Sequence, residues 1–176
     1  MAFLRHPDNA AKYGIDTRRV LIGGHSMGGF VAAVYAVAHP ELPGLVLLDT
    51  ANFGADGREL RAHPEMRAEV IAALNDLGNS LAGTDAERLT DEFAQHGDDW
   101  DLMLRLPALA LRPTLVIGAS HGGGQENKAL ADAIRAQHRA EVSSLTLDTD
   151  HSFADHRSAL AARVVEWLQR QAALKP

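Results

Sequence analysis

Short apolar segments alternate with amphipathic ones along most of this chain. Near-continuous apolar runs predict strands over residues 20–25, 44–49 and 113–119, and an alternating run predicts another over 143–148. Apolar residues at helical spacing predict helices after the first, the third and the fourth of these strands. Because buried parallel strands are apolar on both faces and need helical crossovers, the pattern predicts an α/β fold, with a parallel sheet of about four strands and flanking helices.

Residues 52–111 interrupt this alternation. Their apolar positions fall at helical spacing, most clearly in a set that includes Met66 and Leu77. The segment is therefore predicted to be a helical insertion into a core formed by residues 1–51 and 112–176.

A glycine-rich turn stands between the first strand and the first helix. Residues 23–29 read GGHSMGG, which contains the pattern GxSxG around Ser26. In a nucleophile elbow the strand turns so sharply into the helix that Gly24 and Gly28 must let backbones pass closely, while the serine is lifted clear. The position between a strand and a helix favours this interpretation over a glycine turn without chemistry.

This elbow and three later segments resemble the α/β-hydrolase family, in particular its serine esterases and dienelactone-hydrolase-like members. Residues 45–49 and 113–118 resemble the two strands that follow the nucleophile in the family, and residues 150–153, which read DHSF, resemble the loop that carries its histidine. The resemblance implies the C-terminal portion of the fold, because the family places several strands before the nucleophile strand and only 19 residues precede Val20 here. We therefore expect an incomplete α/β-hydrolase fold, and we favour a truncated reading frame or a fragment over an unusually short natural hydrolase.

The resemblance implies a serine hydrolase that cleaves a carboxylic ester or a related small-molecule acyl substrate through an acyl-enzyme at Ser26, without a cofactor. A serine hydroxyl is a poor nucleophile near neutral pH, so an imidazole must accept its proton during the attack. The family's loop assigns this role to His151, and the backbone N–H of Met27 is the expected oxyanion donor. His25 is expected to point away from the serine, as a packing or pocket residue. The competing hypothesis is a catalytically inactive fragment or binding module that retains the scaffold.

The acid of the triad leaves two alternatives open. The family usually places an aspartate after the strand that ends here at Gly118, but this chain reads HGGG at residues 121–124 in that region. Asp49, at the end of the preceding strand, matches another acid position of the family and has a rigid platform. Glu126 is the carboxylate nearest to the glycines. We favour Asp49 over Glu126 and expect residues 121–124 to form a flexible turn.

The resemblance also suggests a role for the insertion at residues 52–111. Helical insertions at this point of the family form a cap, or lid, that covers the nucleophile and shapes the substrate pocket. The alternative is a helical excursion that only packs on the sheet. The sequence leaves both interpretations open.

Acidic residues and histidines crowd a short stretch around the end of the last strand. Asp148, Asp150, His151, Asp155 and His156 raise the hypothesis of a metal site. The two histidines are five residues apart with no glutamate between them, unlike the HExxH arrangement of zinc enzymes. We therefore expect no metal here, and interpret the carboxylates as turn formers and as negative charge before the last helix.

The composition restricts the partners of the protein. Asp and Glu outnumber Lys and Arg by 23 to 17, and the basic residues are scattered, so nucleic acid is not an expected partner. No apolar stretch is long enough to span a bilayer, and cysteine is absent. We expect a cytoplasmic protein without a membrane partner, with secretion left open if N-terminal residues are missing.

Loss of the earlier strands would expose an apolar sheet edge, which is expected to cause self-association.

Overall fold

The fold comes from a computed structural model that describes residues 2–76 and 82–173. The strands of these ranges are β1 (Ile22–His25), β2 (Leu45–Leu48), β3 (Thr114–His121) and β4 (Val142–Asp150). The α-helices are α1 (Ala2–Arg5), α2 (Pro7–Tyr13), α3 (Met27–Ala38), α4 (Phe53–Ala62), α5 (Arg67–Asp76), α6 (Ala86–Trp100), α7 (Leu106–Leu109), α8 (Gly124–Arg135) and α9 (Arg157–Ala173). Short 3₁₀ turns lie at Thr17–Arg19, Pro64–Met66 and Leu102–Leu104. None of the helices in the described ranges combines the length and the apolar character needed to cross a bilayer.

The four described strands lie in chain order, and each neighbouring pair is parallel. The register pairs Ile22 with Leu45, Leu45 with Thr114 and Thr114 with Val142, so all four strands run in the same direction. The predicted parallel sheet is confirmed, with strand bounds within two residues of the predicted ones. The loops after all four strands therefore lie together at the carboxyl ends of the strands, where open α/β sheets bind their ligands.

Helices cover both faces of the sheet. Val46 and Leu115 lie on one face, in a buried cluster with Trp167 of α9. Leu45 and Leu47 alternate to the opposite face and are fully buried. On that side α3 contacts β1 and β2, and α8 contacts β3 and β4. The strands are therefore covered on both sides, which is the reason for their near-continuous apolar sequence.

The chain divides into two compact units, one formed by residues 1–51 and 106–176 and the other by residues 52–105. The first unit contains the sheet, and the second contains α4, α5 and α6. A cap at residues 52–111 stays a prediction. Leu77, which belongs to the helical pattern of that segment, lies outside the described residues.

Close helix packing and a buried carboxylate organise the second unit. A Cβ built on Gly57 of α4 would lie only 1.8 Å from the carbonyl oxygen of Phe93 in α6, so glycine is needed for this approach. Asp101, which is buried, accepts hydrogen bonds from Asn52 at 2.9 Å and from Arg58 at 2.7 Å. Burial acts to raise the pKa of Asp101, but the hydrogen bonds from Asn52 and Arg58 hold it below its ordinary value.

Candidate active site

Ser26 occupies the sharp corner between β1 and α3. Its backbone angles, φ 54° and ψ −121°, lie where non-glycine residues are rare, which is the strained geometry of a nucleophile elbow. A Cβ on Gly24 would lie 2.3 Å from the backbone of Gly28, and one on Gly29 would lie 2.1 Å from Oγ1 of Thr50. The close approach therefore requires glycine at positions 24 and 29. The predicted requirement at Gly28 is wrong, because the crossing uses only its backbone, and a Cβ there would meet no described atom within 4 Å apart from its chain neighbours and the backbone of its own helix.

The serine is hydrogen-bonded to the histidine that the sequence singled out. His151 follows β4, and its Nε2 lies 2.9 Å from Oγ of Ser26, although 125 residues separate the two in the chain. The other ring nitrogen, Nδ1, lies 2.5 Å from Oδ2 of Asp49. Because an ionised carboxylate can only accept, this network assigns the ring proton to Nδ1 and leaves Nε2 as the acceptor for the serine hydroxyl.

Asp49 lies at the end of β2 with its side chain fully buried. Its Oδ1 accepts the backbone N–H of Ala119 at 2.9 Å, and its Oδ2 accepts the N–H of Gly123 at 3.0 Å besides the contact with His151. Three donors therefore surround a carboxylate that solvent does not reach. A buried carboxylate needs such partners, because it has lost its hydrogen bonds to water. The structure joins Ser26, His151 and Asp49 into one chain of hydrogen bonds.

Glu126, the alternative acid, lies elsewhere. It is exposed in the first turn of α8, while the histidine nitrogen that a triad acid must hold is bonded to Asp49. The glycines before Glu126 make room for the Asp49 carboxylate. A Cβ on Gly122 would lie 2.4 Å from Oδ2 of Asp49 and 3.2 Å from His151. Gly122 and Gly123 of the HGGG segment thus lie against the Asp49 carboxylate. Sequence reasoning missed this role, and the available signal was a glycine run at the place where the family's aspartate is absent.

Met27 begins α3, so its backbone N–H belongs to the first turn of the helix, which has no acceptor within the helix. Among the described residues no backbone or side-chain group accepts that N–H. It is thus available for a ligand beside Ser26, as an oxyanion donor must be.

His25 contacts the histidine rather than the serine. Its Nε2–H donates to the carbonyl oxygen of His151 at 2.7 Å, and the two ring centroids are 4.7 Å apart. The ring of Phe153 packs edge-on against His25 at 5.9 Å. His25, which was expected to be a packing or pocket residue, thus also supports the loop after β4.

The acidic stretch around the end of β4 makes contacts within the protein. Asp148 accepts a hydrogen bond from Ser120 at 2.8 Å, and Asp155 accepts one from Thr149 and pairs with His156 at 3.0 Å. Within residues 2–76 and 82–173, no group of three or more acidic or histidine side chains is arranged to hold a metal ion.

Comparison with known proteins places this geometry in a family. The family model described as "Alpha/beta hydrolase family" matches residues 2–164 of the chain. The chain belongs to the alpha/beta hydrolase family. This membership agrees with the order of strands, elbow and histidine loop described above, and the sheet of four parallel strands is an incomplete version of the family's fold. A comparison with curated proteins returns no match.

Solved alpha/beta hydrolase structures share the fold at low sequence identity. The enol-lactonase from Burkholderia xenovorans LB400 is 22% identical, with a TM-score of 0.55, and the alignment covers 91% of this chain and 68% of that one. A thermophilic esterase from Thermogutta terrifontis is 20% identical, with a TM-score of 0.55 and coverage of 92% and 68%. MenH from S. aureus is 18% identical, with a TM-score of 0.58 and coverage of 93% and 72%. At these identities the comparison shows the fold alone.

Proposed function

We propose that this protein is a serine hydrolase that cleaves a carboxylic ester or a related small-molecule acyl substrate through an acyl-enzyme on Ser26. The observation that carries the proposal is the pair of contacts from His151, 2.9 Å to Oγ of Ser26 and 2.5 Å to Oδ2 of Asp49. Membership of a hydrolase family supports it, as does the likeness in fold to proteins described as an enol-lactonase and an esterase.

The proposed reaction passes one proton through His151 in each of its two halves. As Oγ of Ser26 attacks the acyl carbonyl carbon, its proton passes to Nε2, and the imidazolium returns that proton to the leaving alcohol as the bond to the alcohol oxygen breaks. Water then attacks the acyl-enzyme and gives a proton to Nε2, and Ser26 recovers it as the carboxylic acid leaves. Asp49 holds the ring through Nδ1 and stabilises its transient positive charge.

The backbone N–H of Met27 is the proposed donor to the oxyanion of both tetrahedral intermediates. A single donor of this kind contributes about 10²–10³ to turnover in related chemistry. Its place directly after the nucleophile, at the start of α3, puts the donor beside the attacked carbonyl group.

A fluorophosphonate probe tests the proposal, because it reacts covalently with serines that a neighbouring base activates. We expect one probe adduct per chain by intact mass, located on Ser26 by peptide mapping. Ser26→Ala should abolish labelling, and His151→Gln should slow it by about 10³-fold or more, since the serine then has no base.

The chain supplies a matched control for this test in Ser120, Asp148 and His121. These residues bring a serine, a carboxylate and a histidine together, but the Ser120 hydroxyl donates to the carboxylate of Asp148 at 2.8 Å and not to an imidazole nitrogen. His121 pairs with the same carboxylate at 3.3 Å. Ser120→Ala and His121→Ala should therefore label at the wild-type rate.

Two results would count against the proposal. Labelling that persists in folded Ser26→Ala would place the reactive serine elsewhere. Folded wild-type protein that neither labels nor hydrolyses a panel of nitrophenyl esters would favour the competing hypothesis of an inactive hydrolase-fold module that binds its ligand without turnover.

A further inference from the structure

The backbone of Asp49 adopts a conformation that the surrounding structure has to hold. Its φ is 40°, in the left-handed region that non-glycine residues adopt infrequently, although aspartate tolerates it better than most. Such a residue persists only where its neighbours determine the conformation. The proposed acid therefore depends on whatever fixes the chain directly after β2.

The side chain of Asn127 fixes that part of the chain. It projects from α8, is 1% exposed, and uses its whole amide. Its Oδ1 accepts the backbone N–H of Thr50 at 2.9 Å, and its Nδ2 donates to the carbonyl oxygen of the same residue at 3.1 Å. The amide thus bonds both polar backbone groups of Thr50, as a neighbouring strand would.

The same amide reaches a second segment that contacts the carboxylate. Nδ2 of Asn127 also donates to the carbonyl oxygen of Gly123 at 2.8 Å, and the N–H of Gly123 donates to Oδ2 of Asp49 at 3.0 Å. One buried side chain therefore ties together the residue that follows Asp49 and a residue that donates to it. The hydrogen bonds of this side chain reach Thr50 and Gly123, and not Ser26 or His151.

We propose that Asn127 is a positioning residue for the triad, which holds Asp49 against Nδ1 of His151 through Thr50 and Gly123. The inference rests on the proposed function, because it concerns how the acid of that site is held. A purely structural role for a buried amide would affect stability, whereas a positioning role must also change the hydrogen bond at His151.

The test is Asn127→Ala, read by the ¹⁵N chemical shifts of the His151 ring nitrogens. These shifts are detected through the ring carbon protons, which do not exchange with water, and they report which nitrogen carries the proton. At about pH 9, where histidine rings are ordinarily neutral, we expect the wild-type ring to carry it on Nδ1. The His151 signals are assigned by their absence from His151→Gln.

We expect Asn127→Ala to shift the His151 ring toward a mixture of the two tautomers and to lower the rate of fluorophosphonate labelling by about 10–100-fold, the cost of a misplacement near 1 Å. Thr114→Val is the matched control, because Thr114 is also fully buried and its hydroxyl donates to a backbone carbonyl at the opposite end of β3, at 3.1 Å. This control should lose stability without a change in the His151 signals.

If Asn127→Ala does not fold, Asn127→Asp carries the test, since it keeps the side-chain volume and the acceptor for Thr50 but loses both donations from Nδ2. Unchanged His151 ring shifts, together with a labelling rate no lower than that of Thr114→Val, would overturn the proposal. A wild-type protein that shows the expected tautomer but never labels would instead contradict the proposed function, and the ring shifts alone would then decide the role of Asn127.

Discussion

Gly122 lies directly against the carboxylate of Asp49, so that a Cβ built on the glycine would stand 2.4 Å from Oδ2. Gly122→Ala should therefore push Asp49 away from His151 and lower kcat/KM for an ester by about 10–100-fold. Because the displaced carboxylate is buried and would lose hydrogen bonds, we also expect the unfolding temperature to fall, so kcat/KM is measured below that temperature on folded protein. Gly123→Ala should have a smaller effect, since its Cβ would stand 3.1 Å from Nδ2 of Asn127 and 3.4 Å from Oδ1 of Asp49. Full activity of Gly122→Ala would show that the carboxylate is not held where the structure has it.

The identity of the triad acid gives a second prediction. Asp49→Asn keeps the side-chain shape but cannot hold the Nδ1–H of His151 as a carboxylate does, so kcat should fall by about 10³–10⁴-fold. Glu126→Gln, which alters the alternative acid, should leave kcat within about twofold. Steady-state kinetics of the two folded variants decides between the acids, and the reverse order of effects would assign the role to Glu126.

Acid stability should depend on Asp155. The hydrogen bond from Thr149, followed by the contact with His156, lowers the pKa of Asp155 from 3.8 to about 2. The folded state thus binds this proton less readily than the unfolded state, so the contribution to stability is full above about pH 4 and is lost as the pH falls toward 2.

Thr149→Val removes the hydroxyl that makes the largest contribution to this effect. Urea unfolding measured between pH 2 and pH 5 should show a weaker dependence of the free energy of unfolding on pH than in the wild type. Thr149→Ser keeps the hydroxyl and serves as the control. Parallel pH profiles for Thr149→Val and the wild type would contradict the assignment.

Self-association through the sheet edge is the fourth prediction. Within the described residues β1 pairs only with β2, and the N–H of Ser26 donates to Leu48 at 3.0 Å. Because alternate residues of a strand direct their N–H groups to opposite sides, those of Gly23 and His25 face the unpaired side. We propose that a second copy pairs there. In sedimentation, the fraction of dimer should rise with protein concentration. Hydrogen exchange of the Gly23 and His25 amides should slow over the same concentration range. A monomer at every concentration would exclude this pairing.

The elbow and the parallel sheet were predictable because their signals are local. The apolar runs identify the strands, and the turn around Ser26 lies between a strand and a helix that are adjacent in the chain. Parallel order then brings the ends of β1, β2 and β4 to the same edge, so Ser26, Asp49 and His151 could be expected near one another from sequence alone. Even here the GxSxG pattern was misleading in one respect, because close packing requires glycine at position 29 and not at position 28.

What sequence alone determined about this protein is its α/β class, the family it resembles and the serine, the histidine and two candidate acids. Only the tertiary structure decided that Asp49 rather than Glu126 meets the imidazole, that Gly122 and Gly123 enclose the carboxylate, and that Asn127 bonds the segment behind it. The physical reason is that these choices depend on hydrogen bonds of about 3 Å between residues some 70 to 100 positions apart. Local patterns place such residues at a sheet edge, but only packing determines which donor meets which acceptor.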